Sequence, residues 1–127
     1  MPVPRLYIAV VDDETPVRTA LGRLLRLADY DVKEFSSGEA FLASLHAGSP
    51  DLVVLDVHMP GLSGFAVQSR LRAAHRDVSA VFITASDDPA LDFAASEAGG
   101  AGLLRKPFSN EALLGALAAA LRRNRSA

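Results

Sequence analysis

The sequence predicts an α/β fold in which five parallel strands form one sheet and five helices cover its two faces. Two observations carry this prediction. Short apolar runs alternate with stretches of helical periodicity five times along 127 residues, which is typical of strand and helix units in a doubly wound sheet. Most of these runs are apolar throughout and end at a polar residue, as strands buried on both faces do.

The first half of the chain holds three predicted strands, over residues 6–11, 31–35 and 52–55. The second of them is more polar, which favours the edge of the sheet. Thr15 followed by Pro16 predicts the N-cap and first position of the first helix. Ser36 and Glu39 predict a capping-box start for the second helix.

The second half repeats the alternation, with predicted strands over residues 80–83 and 101–104. Between them, Asp88 and Pro89 predict the start of a fourth helix that ends near residue 98. A third helix precedes the fourth strand, with an apolar face of Val67, Leu71 and Ala74. Ser109 is expected to cap the last helix, and its buried stripe is predicted to be Leu113, Leu117 and Leu121.

The length indicates a single domain over residues 1–127, with a core over 6–121 and a tail or the start of a linker over 122–127. Half of the residues are hydrophobic and 22% are charged, which excludes a disordered chain. The net charge of −2 provides no positive field for nucleic acid. DNA contact is therefore expected only through an output domain absent from this chain.

Cysteine is absent, which excludes disulfides, thiolate metal sites and cysteine nucleophiles. No apolar run reaches the roughly 18 residues that span a bilayer, and the first residues lack the layout of a signal peptide. We therefore expect a cytoplasmic protein with no membrane contact.

Polar residues follow four of the predicted strands: Asp12 and Asp13, Asp56, Thr84, and Lys106. Because the carboxyl ends of parallel strands meet at one edge of a sheet, we expect these side chains to converge. Carboxylates 4 Å apart repel by about 4 kcal/mol per pair at an effective dielectric constant of 20. A cation is expected among them, and Mg²⁺ is the natural candidate because it takes oxygen ligands from carboxylates and phosphate.

A carboxylate in such a site can act as a nucleophile toward phosphorus. The ammonium of Lys106 and the hydroxyl of Thr84 could then neutralise and bind the transferred phosphoryl oxygens. The plainer alternative is that Asp12 and Asp13 only cap the first helix and that Lys106 is a solvated charge.

Four motifs together resemble the receiver domain of bacterial two-component response regulators. They are VVDDE at residues 10–14, LDVHMPG at 55–61, ITA at 83–85 and KPF at 106–108. The second and fourth are most similar to those of FixJ-like regulators, which carry a C-terminal LuxR-type helix-turn-helix output domain. The resemblance covers residues 6–121 and implies a flavodoxin-like fold with strand order 2-1-3-4-5.

The resemblance also implies how the site works. Asp56 would be phosphorylated by a cognate sensor histidine kinase. Asp12, Asp13 and Asp56 would hold Mg²⁺ together with the backbone carbonyl of His58. The side chain of His58, two residues after the acceptor, is expected to affect the lifetime of the phosphoryl group.

The same resemblance assigns the binding of phosphoryl oxygens to Thr84 and Lys106, and a cis peptide bond between Lys106 and Pro107. Receivers commonly have an aromatic residue three positions before this lysine, where this chain has Leu103. The switch is therefore expected to combine a shift of Thr84 with a smaller repacking of Leu103.

Leu114 and Ala118 form a second apolar stripe on the last helix, which predicts an interface with a partner or a second copy of the chain. Phosphorylation is then expected to favour a homodimer and to control a transcriptional output.

Two other functions are compatible with parts of the sequence. A phosphorylation-independent interaction module could use the same fold, although every expected acidic residue is present. An Mg²⁺-dependent phosphohydrolase would place its nucleophile on the first strand, but residues 12–15 depart from the D-x-D arrangement of such enzymes.

Overall fold

Five parallel strands form a single sheet in the computed structural model, which describes residues 5–74 and 76–126. The strand order is β2-β1-β3-β4-β5, so the predicted fold class and the order implied by the resemblance are confirmed. The strands are β1 (Tyr7–Val11), β2 (Asp31–Phe35), β3 (Leu52–Asp56), β4 (Ser79–Thr84) and β5 (Gly102–Arg105).

Five α-helices connect and follow the strands, and a short 3₁₀ helix, Ser44–Ala47, extends the second of them. The helices are α1 (Thr15–Leu27), α2 (Gly38–Ala43), α3 (Gly64–Ala73), α4 (Ala90–Glu97) and α5 (Asn110–Ser126). Within the described residues, none of these helices has the length and apolarity needed to cross a bilayer.

Alternate residues of each strand pack into two separate cores, one on each face of the sheet. Ile8 and Val10 of β1 join Leu25 of α1 and Leu117 of α5 on one face. Ala9 and Val11 belong to the core on the other face, which also holds side chains of α2, α3 and α4. Every residue of β3 is buried, because this central strand is covered on both sides.

The register aligns the carboxyl ends of the strands. Val11 lies opposite Leu55, Asp56 opposite Ile83, and Thr84 opposite Arg105. Residues that follow these positions therefore lie at one edge of the sheet.

Two helix starts differ by one residue from the predictions. The N-cap of α1 is Glu14, and its side chain makes no capping hydrogen bond, so the prediction for Thr15 is wrong. The second helix is capped by Ser37, not Ser36, because Ser37 has the extended backbone of an N-cap and its hydroxyl accepts from the N–H of Ala40.

The cap predicted for the last helix is confirmed, because the Ser109 hydroxyl accepts from the N–H of Ala112. The predicted stripe of Leu113, Leu117 and Leu121 is buried in the core that α5 shares with α1. Helix α5 continues to Ser126, through most of the segment expected to be a tail. Residues 1–4, 75 and 127 of the predicted domain lie outside the described residues.

Candidate functional site

The structure brings together the polar residues that follow four strands. Asp12, directly after β1, and Thr84, at the end of β4, are fully buried, and Asp56, at the end of β3, is 3% exposed. Lys106 follows β5, and its side chain is 13% exposed. Asp13 is exposed beside them. Two buried carboxylates at one edge of a sheet are costly unless positive charge compensates them.

Lys106 provides part of that compensation. Its Nζ donates hydrogen bonds to Asp12 Oδ2 at 3.0 Å and to Glu14 Oε1 at 3.1 Å. Asp56 Oδ2 lies 3.6 Å from the same nitrogen, within ion-pair range but beyond a good hydrogen bond. One ammonium group thus faces three carboxylates.

This imbalance affects the protonation of Asp56. The pKa of Asp56 is raised from 3.8 to about 7, chiefly by burial, then by repulsion from Asp12 and more weakly by repulsion from Asp13. The Lys106 ammonium and a hydrogen bond from the backbone of His58 oppose this rise in pKa. The arrangement therefore disfavours an ionised Asp56 when no further cation is present.

For Lys106, in contrast, the surroundings favour the charged form. Burial alone would lower the pKa of Lys106, but its hydrogen bond to Asp12 and its attraction to Asp56 raise the pKa above the usual value. Lys106 is therefore a fixed positive charge at neutral pH.

The donor set fits a hard divalent cation. Asp12, Asp13 and Asp56 can each offer one carboxylate oxygen, and these oxygens all lie within 4.8 Å of one another. Carboxylate oxygens are the ligands that Mg²⁺ prefers, and the excess of negative charge over the single lysine favours such an ion.

Backbone contacts hold Asp12 in place. Its N–H donates to the carbonyl of Phe35, its carbonyl accepts from Arg18 Nη1 at 2.7 Å, and its Oδ1 accepts from the N–H of Glu14 at 2.8 Å. Both carboxylate oxygens of Asp12 are therefore hydrogen bonded, one to Glu14 and one to Lys106.

Asp56 is positioned by the tight start of α3. A Cβ atom added to Gly64 would lie 2.5 Å from the Asp56 carbonyl oxygen, so only glycine allows this helix to approach so closely. The N–H of Val57, the next residue, donates to the carbonyl of Ile83 and extends the pairing of β3 with β4 beyond the acceptor position.

Thr84 contacts His58, two residues after Asp56, and is hydrogen bonded to the backbone of Lys106. Its hydroxyl oxygen accepts from the N–H of Ser86 at 3.1 Å and lies 3.4 Å from Nδ1 of His58, whose side chain is exposed. The Thr84 carbonyl accepts from the N–H of Lys106 at 2.7 Å. A shift of the Thr84 backbone would thus change the position of the Lys106 backbone.

The remaining predicted residues lie near this edge or along the last helix. The peptide bond between Lys106 and Pro107 is cis, as the resemblance implies. Leu103 is half-buried and packs against the core under α2, α3 and α4. Leu114 is half-buried against the opposite core, and Ala118 lines a shallow depression with Leu6 and Tyr30.

Two contacts were not anticipated from the sequence. Glu14 hydrogen bonds to Lys106, although its only sequence signal is that it follows the two aspartates. Arg105 makes two hydrogen bonds to the Asp92 carboxylate, at 2.9 and 3.2 Å, and one to the carbonyl of Asp88 at 2.9 Å. These bonds tie the start of α4 to β5.

Comparison with known proteins agrees with this geometry. Residues 8–118 match the family model of the response regulator receiver domain. The chain is 36% identical over 115 residues to response regulator protein TodT of Pseudomonas putida, covering 91% of this chain and 51% of TodT. It is 40% identical over 116 residues to response regulator MprA of Mycolicibacterium vanbaalenii, covering 91% of this chain and 50% of MprA. The chain thus spans about half the length of these curated relatives.

A solved structure supports the same relationship. The crystal structure of FixJ-N superposes with a TM-score of 0.87 at 29% sequence identity, covering 94% of this chain and 96% of that one. The strand order, the acidic edge and the match over residues 8–118 lead to one conclusion: the chain belongs to the response regulator receiver domain family.

Proposed function

We propose that Asp56 is the residue that accepts a phosphoryl group from a cognate sensor histidine kinase. One observation carries this assignment. Asp56 is a buried carboxylate 3.6 Å from the Lys106 ammonium, at the edge of the sheet where Asp12 and Thr84 also lie. In a chain of the receiver family, this is the arrangement that phosphoryl transfer to a carboxylate needs.

The hydrogen bonds favour Asp56 over Asp12 as the nucleophile. Both oxygens of Asp12 accept strong hydrogen bonds, from the N–H of Glu14 and from Lys106 Nζ. Asp56 has a longer contact with Lys106, at 3.6 Å. A carboxylate oxygen whose lone pairs are less engaged is the better nucleophile.

In the transfer, an Asp56 oxygen forms a bond to phosphorus while the bond between phosphorus and the kinase histidine nitrogen breaks. The imidazole leaves with the electron pair of that bond. Lys106 is close enough to bind the oxygens of the transferred group, and the Thr84 hydroxyl can donate to one of them. Transfer requires little more than positioning and charge neutralisation.

Asp12, Asp13 and Asp56 would hold Mg²⁺, with the backbone carbonyl of His58 as a further ligand. When bound, the ion neutralises charge on the carboxylates and on the phosphoryl oxygens. The His58 side chain, exposed and 3.4 Å from the Thr84 hydroxyl, is placed to affect hydrolysis of the acyl phosphate.

The domain then acts as a regulatory switch and not as an enzyme that turns over a substrate. Phosphorylation would draw Thr84 toward the new phosphoryl group, and Leu103, in the core next to β4, would repack. The altered surface would favour a homodimer, with Leu114 and Ala118 as candidate interface residues. A transcriptional output through a DNA-binding domain outside this chain, and a cytoplasmic location, complete the proposal.

The test is the intact mass of the protein after incubation with acetyl phosphate and Mg²⁺. We expect a gain of one phosphoryl group that disappears in Asp56→Asn and in the presence of a chelator. A gain that persists in Asp56→Asn would contradict the assignment of the acceptor. Absence of any gain with both acetyl phosphate and a phosphorylated kinase would favour a phosphorylation-independent interaction module.

A further inference from the structure

Glu14 makes a contact with the reactive edge that none of the roles assigned above explains. Its Oε1 accepts a hydrogen bond from Lys106 Nζ at 3.1 Å, shorter by half an ångström than the distance from that nitrogen to Asp56 Oδ2. In the unphosphorylated protein, the lysine that must bind the incoming phosphoryl group is therefore shared between Asp12 and Glu14.

We propose that Glu14 is a positioning residue that holds Lys106 away from Asp56 and thereby limits the phosphorylation of this domain. The inference rests on the proposed function of Asp56. Other residues of the site bind the phosphoryl group, whereas Glu14 restrains the reaction.

Two hydrogen bonds hold the backbone of Glu14 in place. Glu14 is the N-cap of α1, its N–H donates to Asp12 Oδ1 at 2.8 Å, and its carbonyl accepts from the N–H of Arg18 at 3.0 Å. A backbone held at both sides leaves the two methylene groups of the side chain to decide where the carboxylate lies.

The Glu14 side chain does not cap α1, although Glu14 is the N-cap residue. A carboxylate at an N-cap commonly accepts from the free N–H groups of the first helical turn. Glu14 makes no such bond, and its carboxylate reaches Lys106 instead. The contact with Lys106 is thus made in place of helix capping.

An ammonium group has three hydrogens to donate. Two are used on Asp12 and Glu14, and the third is free, but Nζ lies 3.6 Å from Asp56 Oδ2. Nζ must therefore move to bind a phosphoryl group on Asp56 closely, and this movement weakens at least one of the two existing bonds. Asp12 is fully buried and held by the backbone, whereas the Glu14 side chain is 56% exposed. Glu14 is therefore the partner that Lys106 gives up more easily.

Two variants separate this contact from the charge of Glu14. Glu14→Gln removes the charge and keeps the length of the side chain. Glu14→Asp keeps the charge, but aspartate is one methylene shorter and is a preferred N-cap residue, so its carboxylate should turn to the helix and release Lys106. Asp87→Asn, at an exposed residue of the loop after β4, is the control for removal of a negative charge near the same edge.

The experiment measures the phosphorylation rate of the full chain against acetyl phosphate concentration at saturating Mg²⁺, together with the loss of the phosphoryl group after donor removal. An exposed ion pair of this kind corresponds to about a two- to five-fold effect. We expect both Glu14 variants to raise the limiting rate and to prolong the phosphorylated state by that factor. Asp87→Asn should leave the limiting rate and the lifetime unchanged.

An equilibrium measurement checks the same idea without catalysis. Beryllofluoride mimics a phosphoryl group on a carboxylate, and both Glu14 variants should bind it more tightly than the natural chain by a similar factor. Fluorine NMR reports this affinity directly.

The outcomes are distinct. If the natural chain is not labelled at Asp56, the proposed function itself fails. If it is labelled and both Glu14 variants match it, Glu14 does not restrain Lys106. If only Glu14→Gln differs, and through the half-saturating donor concentration alone, the effect is one of overall charge and the inference is overturned.

Discussion

Arg105 and Lys106 are neighbours in the chain, yet their charges serve two different regions. Lys106 is 13% exposed and faces Asp12, Glu14 and Asp56 at the edge of the sheet. Arg105 reaches Asp92 at the surface, where the carboxylate is 61% exposed. The first region has more negative charge than Lys106 can balance, whereas the second is a matched pair in solvent.

The two regions shift the pKa values of Asp56 and Asp92 in opposite directions. The pKa of Asp56 is raised to about 7, chiefly by burial, whereas the hydrogen bond from Arg105 lowers the pKa of Asp92 below its ordinary value. The edge of the sheet therefore stores unfavourable free energy that a cation or a proton relieves, and the surface pair does not. The four predictions below test this contrast, from the largest expected effect to the smallest.

The pH dependence of stability without metal should show the stored free energy of Asp56. A carboxyl group whose pKa is higher in the folded than in the unfolded state binds more protons when folded, so stability falls as the pH rises from about 4 to about 7. The free energy of unfolding of Asp56→Asn, measured by urea titration, should match that of the natural chain near pH 4. At pH 8, the free energy of unfolding of Asp56→Asn should exceed that of the natural chain by up to about 4 kcal/mol.

Asp92→Asn is the control, because a lowered pKa gives stability at high pH that is lost on acidification. Its effect should have the opposite sign and be small. Millimolar Mg²⁺ should reduce the pH dependence of the natural chain. An identical pH profile for the natural chain and Asp56→Asn would contradict the stored free energy.

Lys106→Met should destabilise the metal-free protein at pH 8 by about 3 kcal/mol, because it leaves the buried carboxylates of Asp12 and Asp56 without their cation. Phosphorylation by acetyl phosphate should fall as well. Urea unfolding measures the first effect and intact mass the second. A loss of stability no larger than that of Arg105→Met would show that the buried and exposed cations are equivalent.

Leu103→Ala tests strand β5, which ends at Arg105 and directly precedes Lys106. Leu103 is half-buried in the core under α4, so truncation should cost about 1 to 2 kcal/mol of stability, less than for a fully buried leucine. The shift toward dimer on phosphorylation, measured by sedimentation, should also weaken. If this shift is unchanged, Leu103 takes no part in the switch.

Arg105→Met should have the smallest effect on stability, because exposed ion pairs contribute little. The effect should shrink further at high salt. Faster amide hydrogen exchange at the start of α4, where Arg105 binds Asp88 and Asp92, is the sensitive measurement. A loss of stability as large as that of Lys106→Met, and independent of salt, would mean that this pair is not a surface contact.

The sequence by itself determined the alternation of strands and helices, because an unbroken apolar run such as residues 52–55 can only be buried on both faces. It also determined that Asp12, Asp56 and Thr84 meet at one edge, since parallel strands share the direction of their carboxyl ends. The strand order came from the resemblance, since periodicity does not specify which strands pair. The caps at Thr15 and Ser36 were each wrong by one residue, because backbone angles and competing hydrogen bonds decide the N-cap.

Only the tertiary structure decided how the charges at that edge are shared. Glu14 and Lys106 are 92 residues apart, and Arg105 and Asp92 are 13 apart, so no local pattern indicates either contact. Whether a cation meets one carboxylate or three depends on burial and on side-chain reach within a few ångströms. Those quantities exist only once the five strands are in register, which is why Lys106 and its neighbour Arg105 look alike in the sequence and differ in the folded protein.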